Sequence, residues 1–157
     1  MQGKTEYPPI SRELNVILAE DDPDDRLLFA EAIDELPVFV NLLTFNNGDE
    51  LMDFLNNRKN NLPDVLFLDL NMPRKNGFSA LGEIKRNTNL QDIPVFIFST
   101  ATNREKIEQV FKDAAHHYIR KPIQFSDLKT LLYKSLKLIA DNDMSLPGKD
   151  SFMLTKD

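Results

Sequence analysis

Residues 65–69, Val-Leu-Phe-Leu-Asp, constrain the fold more than any other stretch of the chain. Four apolar residues run straight into a carboxylate, and Leu70-Asn71-Met72-Pro73 then turns the chain away. A short, continuous apolar run of this kind reads as a strand buried on both faces, as in a parallel sheet covered by helices. A charge at that depth is costly without a partner or a metal. The rest of the chain is therefore read for what it brings to Asp69.

Residues 14–19, 38–45, 95–99 and 117–120 read as four further strands, and helical patterns alternate with them. Asp22 is a good N-cap and Pro23 a good first helical residue. Asp24 and Asp25 suit the positive end of that helix and receive no metal role. The helix reaches about residue 36, with Leu28, Ala32 and Ile33 as inward candidates. Residues 49–57 carry Leu51, Phe54 and Leu55 on one face; 78–86 carry Phe78, Leu81 and Ile84; 103–113 carry Ile107, Val110 and Phe111. Ser126 is the expected cap of a last helix running to 140, with Leu128, Leu131, Leu132, Leu136 and Ile139 inward.

Five strands alternating with five helices predict an α/β fold: one parallel, doubly wound sheet with right-handed crossovers and helices on both faces. The 157 residues suit one domain, expected at 14–140, between a flexible leader at 1–13 and a flexible tail at 141–157. The chain has no cysteine, which removes disulfides, thiolate zinc sites and thiol nucleophiles. A net charge of −6 argues against a nucleic-acid surface. No run approaches a membrane span, and the first residues lack the apolar core of a signal peptide. The expectation is a cytoplasmic protein without a nucleic-acid or membrane partner.

Ligands of such sheets bind beyond the carboxyl ends of the strands. Glu20 and Asp21 follow strand one, Asp69 ends strand three, Ser99 ends strand four and Lys121 follows strand five. Taken singly, these are ordinary: helix-start acids, a strand-end hydroxyl, a surface ammonium. Their shared edge sets them apart. Three carboxylates with no histidine or cysteine make a hard-oxygen site suited to magnesium. Lys121 and Ser99 would hold the remaining oxygens of a phosphoryl group, and Asp69 would be the nucleophile, forming an acyl phosphate.

Four motifs carry a resemblance to a known family: I-L-A-E-D-D, L-F-L-D-L-N-M-P-R-K-N-G, P-V-F-I-F-S-T-A and Y-I-R-K-P. Over 14–140 the chain resembles the receiver domain of bacterial two-component response regulators, in the stand-alone, chemotaxis-regulator style. The resemblance implies a flavodoxin-like sheet of order 2-1-3-4-5. It implies Asp69 as phosphoacceptor, Asp21 as direct magnesium ligand, Glu20 as a ligand mainly through water, and the Asn71 backbone carbonyl as a further ligand. Ser99 and Lys121 would contact phosphoryl oxygens, and Tyr118 would be the aromatic that turns inward when Ser99 shifts. The Lys121–Pro122 bond is expected to be cis. Gly77 is expected to close the loop in a positive-φ turn.

The implied partners are a sensor histidine kinase or phosphotransfer protein as donor and a downstream protein as target. A homodimer through helix 4, strand 5 and helix 5 is the third expected contact. With helix five ending near 140, output is expected through protein contact, and the chain is expected to promote its own dephosphorylation rather than act as an enzyme on others. The connector 87–93 is similar to that of regulators paired with phytochrome-type kinases. Thr100 stands where a small residue is usual, which narrows access to Asp69. His116 and His117 replace a small residue before the aromatic; they are expected at the surface, on opposite faces of a strand. The alternatives are an aspartyl-phosphate hydrolase, a phosphorylation-independent scaffold and a flavin-binding protein. A hydrolase of that kind starts from an aspartate on strand one, and no phosphate-cradling Ser/Thr/Gly loop for a flavin follows strand one here.

Overall fold

In a computed structural model of the chain, which describes residues 7–157 except 58, 123 and 144, apolar strands and amphipathic helices alternate as expected. The strands are β1 (Glu13–Ala19), β2 (Phe39–Phe45), β3 (Val65–Leu68), β4 (Val95–Ser99) and β5 (His117–Arg120). The helices are α1 (Pro23–Asp34), α2 (Gly48–Asn56), α3 (Gly77–Arg86), α4 (Arg104–Lys112) and α5 (Phe125–Ala140). All pairings are parallel, in the order β2-β1-β3-β4-β5. This is the doubly wound, flavodoxin-like arrangement.

The strand period sorts the core into two layers. Val65 and Phe67 point to the side covered by α1 and α5, where Phe29 meets Phe67 and Phe98 edge-on at 5.1 and 5.6 Å. Leu66 and Leu68 point to the side covered by α2, α3 and α4, among Leu51, Leu81, Ile84 and Val110. Burial on both faces explains why β3 is apolar without alternation. Because Ala19 pairs with Leu68, and Leu68 with Ile97, the ends of β1, β3 and β4 come out at one edge.

Several local expectations need correction. Leu28 is 44% exposed; the inward stripe of α1 is Phe29, Ala32, Ile33 and then Leu36, the spacing of one helical face. Ser126 does not cap α5. Gln124 is the N-cap, with no side-chain hydrogen bond, because Phe125 packs against the core and begins the helix ahead of the hydroxyl. His116 is buried, with the Val95 N–H directed at its Nδ1 at 3.3 Å. His117 is half-buried, and its Nδ1 lies 3.2 Å from the Phe152 carbonyl.

The flanking segments also differ from expectation. Residues 1–6 of the leader lie outside the described residues, but Ile10 is buried and its N–H donates to Pro37. In the tail, Lys149–Ser151 forms a 3-10 turn, and Met153 makes a parallel bridge to Tyr118. Phe152 is 2% exposed. These apolar residues have a seat on the β5 edge that no local period announces.

Candidate functional site

Each polar residue at the sheet edge is placed by a strand end or a helix start. Leu18 and Ala19 run β1 into the core, so Glu20 directly after them is fully buried, while Asp21 is exposed. The Arg26 guanidinium, one turn into α1, donates to the Glu20 and Asp21 carbonyls at 2.8 and 3.0 Å and fixes the loop between them. Asp22 caps α1 by accepting from the Asp24 and Asp25 N–H groups. Asp69, just past β3, is 4% exposed, and its Oδ1 accepts from the Asn71 N–H at 3.3 Å.

Carboxylate oxygens of Glu20, Asp21 and Asp69 lie within 4.8 Å of one another. The Lys121 Nζ lies 2.5 Å from Glu20 Oε1, 2.9 Å from Asp25 Oδ2 and 3.4 Å from Asp69 Oδ2, over the ring of Phe98. Burial, then contact with Asp69, pushes the Glu20 carboxyl up to about 8 against the opposing pull of Lys121. Burial alone would lower the Lys121 ammonium. Its bonds to Glu20 and Asp25 and the charges of Asp69 and Glu20 outweigh that and hold it above the ordinary lysine value.

The donor set fits a hard divalent cation. It is all oxygen, drawn from three carboxylates. Glu20 Oε1 is buried with no donor aligned on it as a hydrogen bond, although the ammonium is close. A buried oxygen in that condition is costly, and a cation relieves it.

A second line of contacts leads away from this cluster. Ser99, fully buried at the end of β4, accepts from the Ala101 N–H at 3.2 Å through its Oγ. The Ala101 carbonyl in turn accepts from the Tyr118 hydroxyl at 2.7 Å. Tyr118 is fully buried, and that burial raises its hydroxyl above the ordinary tyrosine value. Thr100 is exposed between them.

The expected residues therefore gather at one edge, with two corrections and one addition. No cis peptide bond occurs among the described residues, so the Lys121–Pro122 bond is trans. Trans is the lower-energy form for proline by about 0.5–1 kcal/mol, and Lys121 reaches its carboxylates with it. Gly77 does not have a positive φ; the left-handed residue of that loop is Arg74, at φ 68. Gly77 is required by close approach instead: a Cβ there would lie 2.2 Å from the Asp69 carbonyl oxygen. The addition is Asp25, which sequence reasoning assigned only to a helix start. Its place in the first turn of α1, directly after the Glu20-Asp21 loop, is the signal that could have found it.

The chain is similar to known proteins. A family model described as the response regulator receiver domain matches residues 16–133. Response regulator Rcp1 of Synechocystis sp. is 29% identical over 117 residues, covering 72% of this chain and 80% of that one. Its Mn(2+)-bound crystal structure superposes with a TM-score of 0.73 at 26% identity, covering 86% of this chain and 99% of Rcp1. The phosphorylated cyanobacterial phytochrome response regulator RcpA gives a TM-score of 0.75 at 30% identity, over 87% of this chain and all of RcpA. A probable methanogenesis regulatory protein, FilR2 of Methanothrix harundinacea, is 28% identical over 73% of this chain and 76% of its own length.

Proposed function

The chain belongs to the response regulator receiver domain family of two-component signalling, and we propose that it is a magnesium-dependent phosphoryl switch with Asp69 as the landing site. The observation that carries this reading is the Lys121 ammonium held among Glu20, Asp25 and the buried Asp69, beside a trio of carboxylates.

Glu20, Asp21, Asp69 and the Asn71 backbone carbonyl would hold the magnesium ion, which when bound neutralises charge on the phosphoryl oxygens. The donor is a phosphohistidine of a sensor histidine kinase or phosphotransfer protein. An Asp69 carboxylate oxygen attacks the phosphorus in line, a P–O bond forms, the P–N bond breaks, and the imidazole leaves. Lys121 turns one N–H to a phosphoryl oxygen and Ser99 offers its hydroxyl to another. Water later hydrolyses the acyl phosphate and resets Asp69.

The likeness to a phytochrome response regulator supports a phytochrome-type kinase as donor. The readout is protein contact on the face of α4, β5 and α5, with a downstream target or a second copy. No helix among the described residues is long and apolar enough to cross a membrane, and the proposed compartment is the cytoplasm.

Incubation with phosphoramidate tests the reading. Intact mass should show one phosphoryl group, dependent on magnesium and missing in Asp69→Asn. The chain holds no tryptophan, so mass rather than indole fluorescence is the readout. A wild-type protein that stays unmodified with magnesium present would refute it.

A further inference from the structure

The proposed output face is not bare. Tyr118, on the β5 edge, donates its N–H to the Phe152 carbonyl at 3.0 Å and accepts from the Leu154 N–H at 2.9 Å. Residues 152–154 thus lie along β5 through a single parallel bridge at Met153, on an edge that would otherwise present unpaired groups. Phe152 inserts its ring edge-on to Phe111 of α4 at 5.2 Å and lies 6.2 Å from the Tyr118 ring. Leu154 packs on the α5 side of the sheet, and Lys134 of α5 donates to backbone oxygens of Thr155 and Asp157. The segment therefore spans α4, β5 and α5.

We infer that residues 149–157 form a tethered latch over the α4–β5–α5 face, which phosphorylation of Asp69 releases so that a protein partner can take the same seat. The inference rests on the Asp69 reading above. Its physical link is Tyr118, whose backbone holds the latch and whose hydroxyl reaches the phosphorylation side through Ala101 and Ser99. When Ser99 Oγ turns to a phosphoryl oxygen, it drops the Ala101 N–H. The Ala101 carbonyl then loses its fixed position, Tyr118 loses its hydroxyl partner, and the strand pairing at its backbone loosens.

Phe152 is the segment's main apolar anchor, and its polar ties to the sheet are few. Its strand pairing rests on two backbone hydrogen bonds at one residue. The Lys156–Asp127 ion pair is exposed and contributes little. A cleft of about 370 Å³ remains between α4 and the segment, lined by Ile107, Phe111, Phe152 and Met153. Removing the segment uncovers Phe111 and the β5 edge, which suits an extended partner chain carrying an aromatic residue, added as a strand.

Hydrogen exchange at the Tyr118 and Leu154 amides tests this. Phe152→Ala, without any phosphoryl mimic, should speed both by about tenfold or more while Leu68 and Phe67 stay protected. Phe152→Leu should restore most of the protection. Wild-type protein loaded with magnesium and beryllofluoride should show the same acceleration at the two amides. Unchanged exchange in Phe152→Ala would overturn the latch. Unchanged exchange in wild type that carries a 1:1 adduct would overturn the coupling and leave the Asp69 reading standing. If no adduct forms, the Asp69 reading and the coupling both fall, and Phe152→Ala alone decides whether the segment docks.

Discussion

Glu20 is a carboxyl whose burial opposes its ionisation, and its position makes a pH prediction. Its carboxyl is fully buried and pushed from 4.5 up to about 8, chiefly by burial. Between those values the unfolded chain has lost the proton while the folded chain keeps it. A raised carboxyl therefore supports the fold below 4.5 and loses that support as pH rises toward 8. Metal-free protein should melt at lower temperature at pH 8 than at pH 5, measured by circular dichroism, and Glu20→Gln should flatten that slope. Lys121 is raised and stays charged throughout this window, so it does not offset the trend. The glycines give a second prediction at this scale. Gly77→Ala places a methyl 2.2 Å from the Asp69 carbonyl oxygen, backbone that cannot step aside. It should lower stability by about 1–3 kcal/mol in urea titration and slow phosphoryl uptake. Gly82→Ala meets only the flexible end of Arg86. In a helix interior it should stabilise by about 0.5–1 kcal/mol.

The helices are legible where their start signals are local. Asp22 accepts from two backbone N–H groups of α1, as its sequence context implies, and Asn103 does the same for α4. Asp22→Ala should cost about 1 kcal/mol, read as a shift in urea midpoint. Because α1 carries Asp25 and Arg26 to the site, the same change should weaken phosphoryl uptake beyond its effect on stability. Asn103→Ala should cost a similar amount and spare the metal site. α5 shows the limit of local reading. Ser126 has the right chemistry for a cap, but the packing of Phe125 decides where the helix begins. α1 shows the same limit: Leu28 and Phe29 are neighbours of like hydropathy, and only the direction of the sheet says which is inward.

At the scale of the molecule, the leader and the tail join the body through α5 and β5. Tyr133 donates to the Pro8 carbonyl at 2.5 Å and its ring lies 4.8 Å from Tyr7, while Ile10 is buried among α1 and α5 residues. Tyr133→Phe should cost about 0.5–1.5 kcal/mol in chemical denaturation, the net worth of one hydrogen bond, without changing phosphoryl uptake. The alternation of apolar runs with helical periods determined the parallel sheet, because burial on both faces leaves no polar residues inside β3. Strand-end position likewise determined the edge at which Glu20, Asp21, Asp69, Ser99 and Lys121 meet. Sequence could not supply contacts between residues far apart in the chain. Asp25 on Lys121, Gly77 under the Asp69 carbonyl, and Phe152 seated against Phe111 each depend on three-dimensional approach. Periodicity reports which way a side chain faces along its own element, and only the packed fold reports what it meets there.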